Sequence, residues 1–283
     1  MMIDIGVNLS NPRFDKDRQE LLERARGAGV EKLILTGTSV SESENVAQLC
    51  QTFEPQFPEM LFATAGIHPH DAKSLNSESI GRLRALATQP WVVALGEMGL
   101  DFNRNFSTPA DQEKAFEAQL ELAVELKLPV FLHERDAARR QLQILKNYRD
   151  HLVDGVSHCF TGSRDALYSY LDLDLHIGIT GWVCDDKRGE ALQRLVADIP
   201  LQRLMVETDA PYLLPKNLPK ENRQDHHEDR RKGHRQNNRN EPAFLPWVIS
   251  KIADHRNESA EQLTQQTTAN ATRFFRLEDP ESE

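Results

Sequence analysis

The sequence predicts a (β/α)8 barrel, and three observations carry that prediction. Eight short apolar runs recur along the 283 residues with helical patterns between them, which is the sequence form of eight strand–helix units. The runs lack strict apolar/polar alternation, as expected of parallel strands covered on both faces. Four acidic or imidazole residues, Glu97, His133, His158 and Asp209, each close one of these runs. In a barrel the C-terminal strand ends meet on one face, where active sites are built. A doubly wound open sheet is the runner-up, but it gathers four strand ends around one centre less readily.

The strand candidates fall at about 3–9, 32–37, 61–67, 92–97, 129–133, 155–159, 175–180 and 203–208. After the first, Leu21, Ala25 and Ala28 stand at i, i+4 and i+7, and Gly27 and Gly29 mark a helix stop. The clearest helix begins at Thr108-Pro109-Ala110-Asp111, where Thr108 suits the N-cap, Pro109 the first turn and Asp111 a capping-box-like pattern. Phe116, Leu120 and Ala123 supply its apolar face. The pattern is interrupted at about 216–240, a polar insertion with eight Lys or Arg against four acidic residues. Such a segment buries little surface and reads first as a solvated loop; its position after the eighth strand also lets it steer a nucleic-acid strand. His226, His227 and His234 within it offer adventitious metal binding. No other domain boundary and no repeat is visible, so residues 1–283 read as one domain.

Composition narrows the function classes. The net charge of −10 disfavours general nucleic-acid coating, because phosphate contacts need clustered Lys and Arg. It leaves room for a nuclease whose bound metal makes one cleft locally positive. No run approaches the roughly 20 apolar residues of a membrane span, and the start lacks a secretory pattern. Cys50, Cys159 and Cys184 show no CxxC spacing. The expectation is a cytoplasmic monomer.

Two imidazoles and two carboxylates at strand ends form a mixed N/O ligand set for a divalent ion, which points to metal-assisted hydrolysis. The bland alternatives are a structural core histidine and a paired buried carboxylate; their recurrence at equivalent strand ends favours the metal.

The motifs form an ordered series: Ala65-Gly66-Ile67-His68-Pro69-His70, Gly96-Glu97-Met98-Gly99-Leu100-Asp101-Phe102, His133-Glu134-Arg135-Asp136-Ala137, Ser157-His158-Cys159-Phe160-Thr161-Gly162, Glu207-Thr208-Asp209-Ala210-Pro211-Tyr212-Leu213, then Arg239-Asn240-Glu241-Pro242. The set resembles the TatD family of metal-dependent deoxyribonucleases, in the amidohydrolase-like barrel superfamily, over almost the whole chain. The resemblance implies a magnesium-dependent 3′–5′ exonuclease on single-stranded DNA and RNA, linked to repair of oxidative DNA damage. Mn²⁺ and Zn²⁺ are alternative ions.

It also implies roles. Glu97, His133, His158 and Asp209 are expected to hold the metal, with Asp209 placed to activate the attacking water. His68 is expected to orient a phosphate or to donate to a leaving oxygen, and Arg135 to neutralise a phosphate oxygen through its fork. Asp101 is read as holding a ligand in orientation. Glu207 is read as facing away from Asp209 across the strand, in a supporting role.

Most family members begin with Asp-x-His-x-His. Here Asp4-Ile5-Gly6-Val7-Asn8 occupies that stretch, a departure that matches a bacterial branch of the family. It leaves one firm metal site, with a second around Asp209, Glu97 and the Asn8 amide. Two other classes stay open: a hydrolase of a C–N or ester bond on the same scaffold, and a non-enzymatic metal or nucleic-acid binder. No carbamylated-lysine position is evident, which weighs against a dihydroorotase-like site.

Overall fold

A computed structural model describes residues 1–219 and 239–277. Most of the polar insertion expected at 216–240, and with it His226, His227 and His234, lies outside the described residues. The eight expected strands are all present: β1 (Met2–Val7), β2 (Val30–Leu35), β3 (Leu61–Ala65), β4 (Val92–Asp101), β5 (Val130–Arg135), β6 (Gly155–Ser157), β7 (His176–Ile179) and β8 (Leu204–Val206). They pair in parallel in chain order. Between and after them run α1 (Arg18–Gly27), α2 (Val40–Phe53), α3 (Ser77–Leu86), α4 (Pro109–Leu126), α5 (Ala138–Tyr148), α6 (Arg164–Asp172), α7 (Glu190–Leu195), α8 (Leu245–Ala253) and α9 (Ala260–Phe275).

The ring closes just beyond β8. Val7 bridges Ala210 in parallel, the Asn8 amide donates to Ala210 O at 2.8 Å, and the Asp209 amide donates to Gly6 O at 2.9 Å. Local signals behave as their chemistry requires. Thr108 caps α4 through the Asp111 amide, with Pro109 in the first turn. α1 ends at Gly27, and Gly29 turns the chain at φ +82°, a backbone region that glycine enters without steric cost.

Two apolar layers result. Outside the ring, strand residues pack against the helices. Inside it, Ile3, Ile5, Ile34, Ala94, Phe131, Val156 and Met205 meet Ala271, Phe274 and Phe275 of α9. Asn270 of α9 donates to Leu201 O and Leu204 O, at the start of β8. α9 therefore plugs the N-terminal end of the barrel, and the C-terminal mouth is the end available for a site. Among the described residues no helix is long and apolar enough to cross a membrane.

Candidate metal and catalytic site

Glu97 was expected to close its strand; instead it sits mid-strand, because β4 continues to Asp101. Gly96 pairs with Phe131 and Met98 with Leu132, so Glu97 is the extra residue of a bulge. A bulge re-aims one side chain without ending the strand. The flanking glycines make it possible: Gly96 and Gly99 have φ of 138° and 144°, and a Cβ on either would strike the carbonyl oxygen of Phe131 or His133. The Glu97 amide, freed from the ladder, donates to Gly37 O at 2.8 Å.

The carboxylate so aimed collects three imidazoles on one oxygen. Glu97 Oε1 lies 2.7 Å from His133 Nδ1 of β5, 3.0 Å from His158 Nε2 just past β6, and 3.5 Å from His68 Nε2 after β3. Burial opposes the charge on Glu97, but His158, His68 and the bond from His133 outweigh it and hold the carboxyl well below its usual range. The partners respond in kind. Burial disfavours imidazolium at His158, yet Glu207 and Glu97 raise it well above its ordinary value. His133 is raised against its burial by Asp101 and Glu97. His68 differs: burial dominates and lowers it to about 3, leaving a neutral ring whose Nδ1 lone pair accepts from the His70 amide at 3.0 Å.

These groups fit a divalent ion. His68, Glu97 and His133 present ligand atoms all within 4.8 Å of one another, and His158 shares their carboxylate oxygen. His133 Nε2 is buried without a hydrogen-bond partner among the described residues, a polar atom that needs one. Three imidazoles with carboxylates form a mixed donor set that Zn²⁺ and Mn²⁺ accept, and Mg²⁺ through its oxygens. His68, expected to orient a phosphate, lies beside Glu97, its Nε2 toward that carboxylate and its Nδ1 accepting from the His70 amide.

Asp209 lies three residues past β8 in left-handed backbone, φ 53°, and falls outside that compact group. Burial, then Glu207 and Glu97, raise it to about 7 against the pull of His158. Asn8 Nδ2 donates to Asp209 Oδ1 at 2.9 Å, so the amide standing in a histidine position aims this carboxylate. Arg135 ends β5 exposed. Its neighbours bond other groups: Glu134 accepts from the Ala137 amide and Asp136 from Asn103.

Glu207 requires a correction. Positions two apart on extended chain share a face; Met205 of β8 faces the barrel interior, and Glu207, next on that side, points into the barrel rather than away from it. It accepts from Cys159 N at 2.5 Å and meets His158 Nδ1 at 2.9 Å. It fits because Gly6 and Gly178 flank it; a Cβ on either would strike its carboxylate. The space that a side chain at position 6 would enter is therefore filled by the Glu207 carboxylate. Asp101 meets His70 Nε2 at 2.7 Å and His133 Nε2 at 3.7 Å, between two rings of the cluster.

Sequence reading also missed three buried glutamines that brace the site. Gln119 of α4 bonds both the N–H and the C=O of Ile67, next to His68. Gln112, seven residues earlier, does the same for Asp101. Gln141 of α5 accepts from the Leu100 amide. The signal was two polar residues at helical spacing among the apolar positions of α4.

The family model described as TatD related DNase matches residues 3–276. The chain is 48% identical over 274 residues to the 3′-5′ ssDNA/RNA exonuclease TatD of Cronobacter sakazakii, covering 97% of both proteins. It is 46% identical over 276 residues to the protein of that name from Salmonella typhimurium, covering 98% and 99%. Among solved structures, a TatD homolog from Escherichia coli superposes with TM-score 0.81 at 27% identity, over 97% and 98% of the chains. A TatD family hydrolase from Entamoeba histolytica gives TM-score 0.84 at 24% identity over 96% and 97%, a likeness of fold. A family match of this extent, on a barrel whose strand-borne motifs converge at one mouth, shows that the chain belongs to the TatD-related DNase family.

Proposed function

We propose that this chain is a metal-dependent 3′–5′ exonuclease that hydrolyses phosphodiester bonds in single-stranded DNA and RNA. One observation carries the reading: three imidazoles converge on Glu97 Oε1 at the C-terminal mouth of the barrel, beside Asp209. The curated relatives bear that activity in their names.

Glu97, His133, His158 and Asp209 would hold the ion, His68 would orient a phosphate beside them, and Mg²⁺ is the ion we assign. When bound, a divalent ion supplies Lewis-acid stabilisation of charge on phosphate and makes a water more acidic. Asp209, beside the ion, would take the proton of the attacking water. Asn8 aims that carboxylate, and Glu207 fixes the ring orientation of His158. Arg135, exposed at the mouth, neutralises a phosphate oxygen. We place the protein in the cytoplasm as a monomer, acting in repair of oxidative damage.

The test is cleavage of an end-labelled single-stranded oligonucleotide with Mg²⁺, with Mn²⁺ and with chelator. A metal-dependent ladder shortening from the 3′ end supports the reading. His133→Ala and Glu97→Ala are expected to stay folded and lose at least about 10²-fold in turnover, as ligand loss implies. Normal turnover in either mutant overturns the ligand assignment. No cleavage from a folded, metal-loaded protein overturns the nuclease reading in favour of a C–N or ester hydrolase.

A further inference from the structure

Phe106 is 56% exposed, one of the few large apolar side chains left so open, and it stands beside the site. Its ring lies 4.8 Å, edge to face, from that of His70; His70 in turn contacts His68 at 4.3 Å and Asp101 at 2.7 Å. One imidazole therefore separates this aromatic from the ligand cluster.

The loop that carries it is firmly held. Asp101 Oδ1 accepts from the Asn103 and Arg104 amides. Asn105 takes left-handed backbone, φ 48°, and its side chain donates to Phe102 O. Ser107 is buried, donates to His70 O and accepts from the Lys73 amide. Lys73 Nζ donates to Phe106 O at 3.3 Å. A pinned backbone thus presents this apolar ring to water. Three cations, Lys73, Arg104 and Arg135, are exposed around the loop, with Asp136 bonded to Asn103 among them, and Phe102 N donates to Arg135 O. An aromatic face flanked by positive charge suits a single-stranded nucleic acid, whose bases stack while its phosphates are neutralised.

We propose that Phe106 is the base-stacking platform of the single-stranded substrate. The assignment rests on the nuclease reading above. A base inside a duplex has both faces covered by its neighbours, whereas an unpaired strand can lay successive bases on this ring. The rigid loop makes the contact cheap in conformational entropy.

The experiment compares wild type, Phe106→Ala and Phe106→Trp on two Mg²⁺-supported substrates: a single-stranded oligonucleotide and the same strand with abasic sugars at its 3′-terminal positions. Tyr168→Ala, an exposed aromatic on α6, is the control. Phe106→Ala is expected to raise KM for the ordinary strand by about 10-fold, with kcat within about twofold of wild type, the scale of one lost stacking contact. On the abasic strand wild type and Phe106→Ala should share one KM, and Phe106→Trp should behave as wild type on both. An unchanged KM for Phe106→Ala, an equal loss on both strands, or a Trp variant no better than Ala overturns the platform while leaving the nuclease intact. A wild type that cleaves neither strand overturns the nuclease reading itself, and the platform with it.

Discussion

At the scale of single residues, glycines decide where the charges go. His133 and His158 were readable because an imidazole at the end of an apolar run has few structural reasons to be there. Glu207 was misread because its neighbours in space, Gly6 and Gly178, come from β1 and β7 and are remote in sequence. Their meeting yields a prediction contrary to motif logic. Restoring the family histidine with Gly6→His should not rebuild a ligand. The new Cβ would strike the fully buried Glu207 carboxylate and push it off His158 Nδ1 and Cys159 N. Even Gly6→Ala should lower turnover by about 10-fold or more and cost about 1–3 kcal/mol of stability, the usual penalty for overpacking. Pairing it with the shorter Glu207→Asp should restore part of both, as contacting residues couple non-additively. Calorimetric titration with Mn²⁺ provides the check: tighter binding by Gly6→His would show that Glu207 yields the space.

At the scale of elements, strand positions were readable from apolar runs, but the bulge in β4 was not. It depends on Gly96 and Gly99 pressing against the β5 backbone, a contact between strands that no single run reveals. The helix α4 was found by its cap and its apolar spacing, yet its contribution to the site lies in its polar exceptions. Gln119 satisfies both backbone groups of Ile67, one residue before His68. Gln119→Leu keeps the size and removes both bonds. With a buried N–H and C=O left unpaired, stability should fall by about 2–4 kcal/mol. Activity should fall beyond the unfolded fraction, because His68 loses its fixed backbone. Denaturant midpoints together with kcat on the folded protein measure both; a stability loss with normal kcat would show that His68 is positioned by its own contacts instead. The Arg239-Asn240-Glu241-Pro242 motif serves the same end of the barrel. Arg239 pairs with Asp17, Glu241 with Arg24, and Asn240 donates to Thr208 O, fixing the chain where it returns from the insertion.

At the scale of the whole molecule, eight strand–helix units foretold a barrel, but neither the plug by α9 nor the means of closure. Closure depends on Asp4, fully buried, which accepts from the Gly6 and Thr208 amides and lies 2.5 Å from Thr208 Oγ1. It joins β1 to the segment after β8, where backbone pairing is sparse. Burial outweighs these bonds and lifts its carboxyl from the ordinary 3.8 to about 8, so near neutrality the native state holds a proton that the unfolded chain has released. Stability rises with pH only where the unfolded state binds more protons; here it binds fewer, so this group costs stability as pH climbs from about 4 to about 8. Asp4→Asn keeps a group of the same size beside Thr208 Oγ1 and cannot ionise. The variant should match wild type near pH 4 and become progressively the more stable of the two toward pH 8. Urea midpoints across that range, taken with chelator so that metal binding does not contribute, test the sign. Parallel profiles would mean that Asp4 ionises in the closed barrel as it does in water, and that the Gly6 and Thr208 amides suffice to hold a charge inside it.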